Sequence, residues 1–568
     1  MRFVVVAASE TGTACSLARD VILALSAAHD VNTIPLLVDQ VDIAELLQND
    51  RVAIFVVSTA GFGEFPRSAL GFWDDLNRLG VQSLDNFQYT VFGLGDRRYK
   101  HFNHAGRKLH GLLRALGANE IHPLGLGDDS DDFGVYSEFD AWLDALLETV
   151  GCGEDPDEAV RDVSHAVPLP RTPLLATVIS NEQMTDDSAH TEVRRLHVMA
   201  ANLEYDLGDS LAVYPVAEAA DVRSLIIALD LHPDSLVGEH RLFDLLSRRL
   251  DISATPDRTS LRLLSLAAND TFVRDRLVEM SSRTAEGKKL FYDYVVYPHR
   301  DFADVISDFA GLVTLSVEDL VRMLPPTRPR SYSIASSPLE AAVLCDLPSV
   351  TLRRRICPSR WCSLLVAVKT FPFSKLSGKR GLSSCYLKSL VPGNKVACYV
   401  EKSHLLIPEK TALDTLVVAT GTGCALGRAI ARDRALRRCM GLQTSPLRLY
   451  FGFRNPRKDC VASTPNPVMS HVKADVQRWT PEGDSCVLAF SQLTEADFGK
   501  SDDTNVIKKH HVTTALRLLP PRPPDTLLIC GRSHPMPEMV LDELQSLWGA
   551  EKMAEMQRRL LLLTETWG

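Results

Sequence analysis

The chain lacks any run of about 18 consecutive apolar residues, so no membrane-spanning helix is expected. A signal peptide is not expected either: Phe3–Ala8 is too short for an apolar core and runs directly into polar residues. The 12 cysteines are scattered singly, with no CxxC pair. That spacing argues against a zinc site or a disulfide framework and suits a reducing, cytoplasmic setting. The nearest approach to a pair, Cys357 and Cys362, lies in an arginine-rich stretch expected to be a surface loop. Basic excess is also missing. The formal net charge is −10, and residues 1–150 hold 21 acidic against 11 basic side chains, while the remainder holds 51 of each. An acidic head on a neutral body argues against nucleic acid. It suits docking to a basic protein surface, or is simply a well-solvated face. What is present, 45% hydrophobic and 24% charged residues over 568 positions, describes a folded chain of roughly three to five domains.

In the first third, β-rich apolar runs at Phe3–Ala8, Val52–Thr59 and Tyr89–Leu94 alternate with helical patterns such as Ala14–Ala28. That order predicts a parallel sheet covered by helices on both faces, with ligands at the carboxyl ends of its strands. Three strand-end loops stand out. Ser9-Glu10-Thr11-Gly12-Thr13 precedes a helix and offers hydroxyls and backbone amides to a phosphate. It has no lysine, so it is not an ATP-binding P-loop. Ser58-Thr59-Ala60-Gly61-Phe62-Gly63 carries glycines that let backbone approach a flat ring. Phe92-Gly93-Leu94-Gly95-Asp96-Arg97-Arg98-Tyr99, followed by His101-Phe102-Asn103, supplies an aromatic, Tyr99, to stack on that ring. One such loop says little; three at successive strand ends predict an FMN site.

Residues 151–172 are polar and proline-bearing and are expected to be a linker. Strand patterns follow, then a mostly helical stretch over about 216–325 whose leucines are expected to be core. Next, Arg330, Tyr332 and Ser333 lie on a strand whose two-residue period puts Arg330 and Tyr332 on one face. The arginine suits a diphosphate, the ring an isoalloxazine and the hydroxyl its polar edge. The turn at Gly381-Leu382-Ser383-Ser384 opens a helix suited to the same diphosphate. These features predict FAD. Finally, Leu416–Thr420 leads into Gly421-Thr422-Gly423 ahead of a helix, a dinucleotide site by the same reasoning. Further strands end at Arg454, at Ser491-Gln492 and at Cys530-Gly531.

Taken together, these motifs resemble those of the diflavin reductases. The first third has the S-x-T-G-T and F-G-L-G-x-x-x-Y-x-x-F-N patterns. The middle has R-x-Y-S and a variant of G-[LV]-C-[ST], with Ser383 in the cysteine position. The last third has F-G-x-R and C-G-x-x-x-M-x-x-x-V, matched by Cys530, Gly531, Met536 and Val540. Ala60 stands where some relatives carry a second stacking aromatic, and Leu426-Gly427 replaces a usual Pro-Phe. Gln492 replaces an arginine, and Asn505 and Ile507, with Lys508 and Lys509 beside them, fall where relatives grip a 2′-phosphate. Glu340–Cys362 looks like an insertion.

The resemblance implies a flavodoxin-like FMN-binding domain over 1–150 and a ferredoxin-reductase-like antiparallel barrel over 173–410 that binds FAD and carries the helical insert. A Rossmann-like nicotinamide domain over 411–568 completes the multidomain α/β chain. It implies FMN, FAD and NADPH as cofactors, no metal, and Asp128 in an acidic rim beside FMN. Ser333, Cys530 and Glu565, the last standing where many relatives have Asp, would surround the hydride-transferring carbon, with Trp567 covering the FAD ring. The Glu565-Thr566-Trp567 ending resembles the cytosolic branch of the family, which supplies electrons to iron–sulfur assembly. That branch implies an anamorsin-like iron–sulfur protein as acceptor. A cytochrome P-450 reductase-like donor to haem proteins and a non-catalytic flavoprotein partner are the alternatives.

Overall fold

The computed structural model describes residues 2–46, 51–80, 83–152, 158–165, 172–187, 189–343, 360–371, 379–403, 413–455, 485–492, 506–559 and 562–567. It contains two compact units. The first comprises 1–171, 216–328 and 373–377; the second comprises 172–215, 329–372 and 378–568. Among the described residues no helix is long and apolar enough to cross a membrane.

In the first unit the apolar runs become parallel strands β1 (Arg2–Ala8), β2 (Arg51–Ser58), β3 (Gln88–Gly95) and β4 (Gly125–Asp128). β1 pairs with β2, β2 with β3 and β3 with β4, and the short strand Asp30–Val31 lies on the other side of β1. The chain therefore leaves β1 for one edge and returns on the far side, which places a topological switch point at the β1 and β2 carboxyl ends. Helices α1 (Thr13–Leu25), α2 (Leu70–Asn77), α3 (His104–Ala115) and α4 (Tyr136–Val150) cover the sheet. The two-residue period of β1 divides its apolar residues. Phe3, Val5 and Ala7 pack in the α1/α4 layer, whereas Val4, Val6 and Ala8 pack in the α2/α3 layer.

The α1/α4 layer does not end at its helices. Its core runs on into leucines and aromatics of the insert, including Leu261, Leu264 and Phe291, and takes in Val160 and Val163. The insert contributes α5 (Arg258–Leu266), α6 (Thr271–Ser281) and α7 (Ala285–Phe291). Charged groups are buried along this seam. Arg19 on α1 donates to Asp257, the cap of α5, at 2.6 Å. Arg258 grips Asp140 on α4 with two hydrogen bonds, at 2.6 and 3.1 Å. Thr259 donates to Asp20 at 2.9 Å, and Lys288 lies 3.4 Å from Asp140.

Asp20 is the odd member of this group. Its second carboxylate oxygen is buried without a hydrogen bond among the described residues. Burial, reinforced by nearby Asp257 and opposed by Arg258, Thr259 and Arg19, pushes its carboxyl up to about 7. The ordinary value is 3.8, so between about pH 4 and 7 the folded chain holds a proton that the unfolded chain has released. Stability contributed by this group therefore falls as pH rises through that window and is level above it. Asp20→Asn keeps a neutral acceptor for Thr259. The variant should gain on the natural protein by about 2–3 kcal/mol more at pH 8 than at pH 5, at about 1.36 kcal/mol per pKa unit. Urea denaturation at both pH values checks this; an offset that is the same at pH 5 and pH 8 would refute it.

The second unit combines two sheets. Antiparallel strands β5 (Leu174–Gln183), β6 (Val193–Ala200), β7 (Ser210–Val213), β8 (Arg330–Ser333), β9 (Arg360–Ala367) and β10 (Lys395–Glu401) run in the order β8-β7-β10-β5-β6-β9. A bridge between Ile334 and Leu364 joins the two edges, which closes the sheet into a barrel. β7 and β8 are direct neighbours, with Val213 opposite Arg330. The parallel sheet contains β11 (Thr415–Thr420), β12 (Leu447–Phe453), β13 (Ser485–Phe490), β14 (Val506–Lys508), β15 (Thr526–Arg532) and β16 (Leu562–Trp567). Their order is β14-β13-β12-β11-β15-β16, so its switch point lies between β11 and β15.

One expectation is corrected. Cys362 is not in a surface loop; it is fully buried on β9, opposite Val198 of β6, because the apolar run after it continues the strand into the barrel core. Cys357 lies outside the described residues, as does most of the Glu340–Cys362 stretch. Glu340 itself is buried, where Arg432 donates to it at 2.7 Å.

Candidate functional site

The three strand-end loops of the first unit are held by backbone contacts that only small residues permit. Gly12 caps α1 at φ 115°, and its amide donates to Ser9 Oγ at 2.9 Å. α1 has no side-chain cap and no acidic residue in its first turn. Ser9, Thr11, Thr13 and the first amides of α1 thus form a donor-rich, positive helix end. Glu10 points away from this role: its carboxylate accepts from the Arg67 amide at 3.2 Å.

In the second loop Ser58 donates to the Ala8 carbonyl at 3.1 Å, tying the ends of β1 and β2 together. The Ala60 amide donates to the Glu64 carbonyl and the Gly63 amide to that of Ala60, closing a tight turn over Gly61. Gly63 has φ +99°, and a Cβ there would lie 2.6 Å from that of His101. The Thr59 hydroxyl is buried without a hydrogen bond among the described residues, an orphan polar group beside the switch point.

The third loop rests on Asn103. This residue is fully buried at φ 53°, starts α3, and donates to the Gly127 carbonyl at 2.9 Å. A Cβ on Gly95 would lie 2.7 Å from the Asn103 nitrogen. Leu94 is buried, whereas Tyr99 and Phe102 are half-buried, with Arg97 5.3 Å over the Phe102 ring. Asp128 sits beneath this loop, accepting from the Arg97 and Ser130 amides at 2.9 and 3.0 Å and from the Ser130 hydroxyl at 2.7 Å. Burial opposes its ionisation. Those donors and the Arg97 charge outweigh burial and hold its carboxyl below the ordinary range. Ser130, which sequence reasoning did not single out, is what lets a buried carboxylate brace the loop.

In the second unit the two FAD motifs meet. The Tyr332 hydroxyl, on β8, donates to Ser383 Oγ at 2.9 Å. Gly381 caps α8 (Leu382–Ser389), which has no acidic residue in its first turn. The Gly381 amide donates to the Lys369 carbonyl at 2.9 Å, and Ser384 Oγ accepts from the Lys369 amide at 3.0 Å. Lys369 acts through its backbone, so no sequence signal marks it. Arg330 and Ser333 lie on β8 opposite Val213 and Ser210. The end of that strand is anchored by buried Arg428, on α9 (Cys424–Cys439), which donates to the Ala335 carbonyl.

The third constellation gathers at the β11/β15 switch point. A Cβ on Gly423 would lie 2.5 Å from the Cys530 carbonyl oxygen and 2.8 Å from the Gly531 Cα. Gly531 has φ +145°, and its Cβ would lie 2.6 Å from Thr420 Oγ1. The two strand ends therefore meet backbone to backbone, with half-buried Thr422 beside them. Cys530 is opposite Glu565 in the β15/β16 register, and Arg532 is opposite Trp567. The side chains of Glu565 and Trp567 lie outside the described residues, as do that of Lys508 and all of Asn505. At the ends of β12 and β13 the Ser491 amide donates to the Phe453 carbonyl at 3.0 Å and the Gln492 amide to that of Arg454 at 2.7 Å, bringing Arg454, Ser491 and Gln492 together. Leu426-Gly427, which stands where relatives carry Pro-Phe, lies on α9 against β12. A Cβ on Gly427 would lie 2.8 Å from the Phe451 ring, so this helix position packs directly on the strand.

The donor sets fit the groups the fold implies. The positive end of α1 and its hydroxyls suit a phosphate, and the orphan Thr59 hydroxyl suits the polar edge of a flavin. The Tyr332–Ser383 pair and the acid-free start of α8 suit a flavin diphosphate, and the glycine cradle at Gly423 and Gly531 suits a second dinucleotide. Two flavin sites on one chain define a flavin-dependent oxidoreductase. Residues 5–142 match the family model described as flavodoxin, and residues 169–350 match that of the FAD binding domain. Among relatives, NADPH-dependent diflavin oxidoreductase 1 of Bos taurus is 27% identical, covering 100% of this chain and 99% of its own length. Its counterpart in Danio rerio is 27% identical over 91% and 90% of the two chains. The NADPH–cytochrome P450 reductase of Oryctolagus cuniculus is 27% identical over 74% of this chain and 67% of its own. The chain is an oxidoreductase with flavodoxin and FAD-binding domains, similar over most of its length to the diflavin oxidoreductases, with FMN and FAD as its flavins.

Proposed function

We propose that this enzyme carries electrons from NADPH through FAD and FMN to an iron–sulfur protein of the anamorsin kind in the cytoplasm. The observation that carries the reading is the presence of two separate flavin sites, each built at its own switch point or barrel motif, with a glycine-lined dinucleotide crevice in the unit that holds FAD. Bound flavins accept a hydride and release electrons singly, which is the chemistry the cofactors supply.

The chain's own residues bind and orient. Ser9, Thr11, Thr13 and the α1 amides hold the FMN phosphate; Thr59, Gly61, Gly63, Gly95 and Tyr99 border its ring, and Asp128 braces that border. Arg330, Tyr332, Ser333 and the turn at Gly381–Ser384 hold FAD. Thr422 and Gly423 take the NADPH diphosphate, while Arg454, Ser491 and Gln492 form the cluster nearest a 2′-phosphate. By resemblance, Ser333, Cys530 and Glu565 would flank the transferring carbon, where a carboxylate would stabilise developing positive charge. By the same resemblance, Trp567 would cover the FAD ring. The acidic excess of residues 1–150 favours a basic acceptor surface.

Purified protein should release one FMN and one FAD per chain and reduce ferricyanide and cytochrome c with NADPH. Flavin-loaded protein that turns over neither acceptor, with NADPH or NADH, would leave only a binding role.

A further inference from the structure

Within the second unit the barrel carries the FAD motifs and the parallel sheet carries the glycine-lined nucleotide crevice. Hydride passes only when the two reacting carbons are held about 3–3.5 Å apart, so the register between these two sheets matters as much as either site. Part of what joins them is apolar. Met184, Ala335 and Leu365 from the barrel side share a core with Ala419, Cys424 and Ala425. Apolar contact is non-directional: it holds surfaces together without fixing how far one slides along the other. The directional contacts lie beside it. Buried Arg428 on α9 donates through Nη1 to the Ala335 carbonyl, and its Nη2 lies 3.8 Å from the Glu340 carboxylate. One turn further on, Arg432 donates to Glu340 at 2.7 Å, and buried Asp433 accepts from the Ser337 hydroxyl at 2.9 Å. The receiving segment is itself pinned. Glu340 accepts from the Ser337 amide at 2.9 Å, and Ser336 Oγ accepts from the Ser363 amide of β9 at 3.0 Å. Both ends of the Arg428 contact lie close in sequence to the reacting groups: Ala335 is two residues past Ser333, and Arg428 is five past Gly423.

We propose that Arg428 is a positioning residue for hydride transfer: it locks α9, the helix that opens at the nucleotide crevice, to the end of the strand that carries Ser333, and so sets the separation of nicotinamide and flavin. The inference deepens the NADPH-to-FAD reading and rests on it. Arg428 acts through the Ala335 carbonyl and the backbone leading back to Ser333, without touching either cofactor. A guanidinium suits this task because its two terminal nitrogens face the carbonyl and the carboxylate at once, whereas a lysine ammonium is a single point charge.

The test is rapid mixing of flavin-loaded, full-length protein with NADPH, followed as bleaching of the FAD band, for the natural chain, Arg428→Lys and Ser337→Ala. In Arg428→Lys the limiting rate at saturating NADPH is expected to fall at least about tenfold, a loss within reach of a misplacement under about 1 Å. The NADPH concentration giving half that rate, the affinity for NADP+ and the FAD content should stay within about twofold of the natural chain, as befits an interaction that matters for the reacting geometry and not for binding. Ser337→Ala keeps Arg428 and its carbonyl but drops the Asp433 pin. It should show the same split at about threefold, and it decides the matter if Arg428→Lys does not fold. A limiting rate equal to that of the natural chain in Arg428→Lys, or in Ser337→Ala where that variant stands alone, would overturn the proposal. So would a loss of rate matched by an equal loss of NADP+ affinity or of FAD, which would mark a structural lesion. A natural chain whose FAD stays oxidised in NADPH would overturn the electron-transfer reading itself, and this inference with it.

Discussion

Arg258→Ala is expected to cost the first unit about 3–5 kcal/mol, a loss far beyond that of an ordinary surface change. The guanidinium is buried between α4 and the insert and makes two hydrogen bonds to Asp140. Its flat face also lies 4.5 Å from the Tyr136 ring centre. Removing it leaves the Asp140 carboxylate buried with Lys288, 3.4 Å away, as its remaining cation. It also opens a cavity beside Tyr136 and Phe291. The cost comes from stranding a charge rather than from any large net worth of the pair. The double variant Asp140→Leu/Arg258→Met should accordingly recover most of the loss. Chemical denaturation followed by a signal from the first unit measures both variants. A loss under about 1 kcal/mol for Arg258→Ala, the range of an exposed ion pair, would show that water reaches this seam.

The largest functional effect is expected at Gly95. A Cβ there would meet the Asn103 nitrogen at 2.7 Å, the Asn103 Cα at 3.2 Å and the Asn103 Cγ at 3.2 Å. Asn103 cannot retreat easily: it is buried, starts α3 in a left-handed conformation, and is tied to the Gly127 carbonyl. Gly95→Val must therefore displace the loop that carries Tyr99, and a misplacement near 1 Å can cost about 100-fold in an oriented reaction. Electron delivery through FMN to an added acceptor should fall by about 100-fold, while reduction of FAD by NADPH, followed as bleaching of the FAD band, should stay within about twofold. A parallel collapse of both rates would mean that Gly95 supports the whole fold and not the FMN site.

The architecture was largely open to reading from the sequence because strands such as β1, β2, β11 and β15 are compact apolar runs ending at glycine or hydroxyl residues. The period-two split of Phe3–Ala8 between two helix layers is a direct physical consequence of that run. The seam between α1, α4 and the insert was not legible. Arg19, Asp20, Asp140 and Arg258 are each the kind of charged residue that sequence reasoning assigns to solvent. Only the fold brings them close enough to neutralise one another. Cys362 was misplaced for a related reason, since flanking arginines disguised the start of a core strand. Asp128, expected in an acidic rim, is itself buried and braced by Ser130, a contact that the acidic run did not signal.

The pairing of Val213 with Arg330 has a consequence for how such a chain could be assembled. The residues that bracket the long helical excursion are cross-strand neighbours, so with the excursion excised β7 and β8 would form an ordinary hairpin. Closing a long detour between two points already in contact adds only a slowly growing entropic cost. The barrel can therefore carry a foreign segment the size of a small domain at one turn without losing a strand, and a short turn placed between Tyr214 and Pro329 should leave it able to fold.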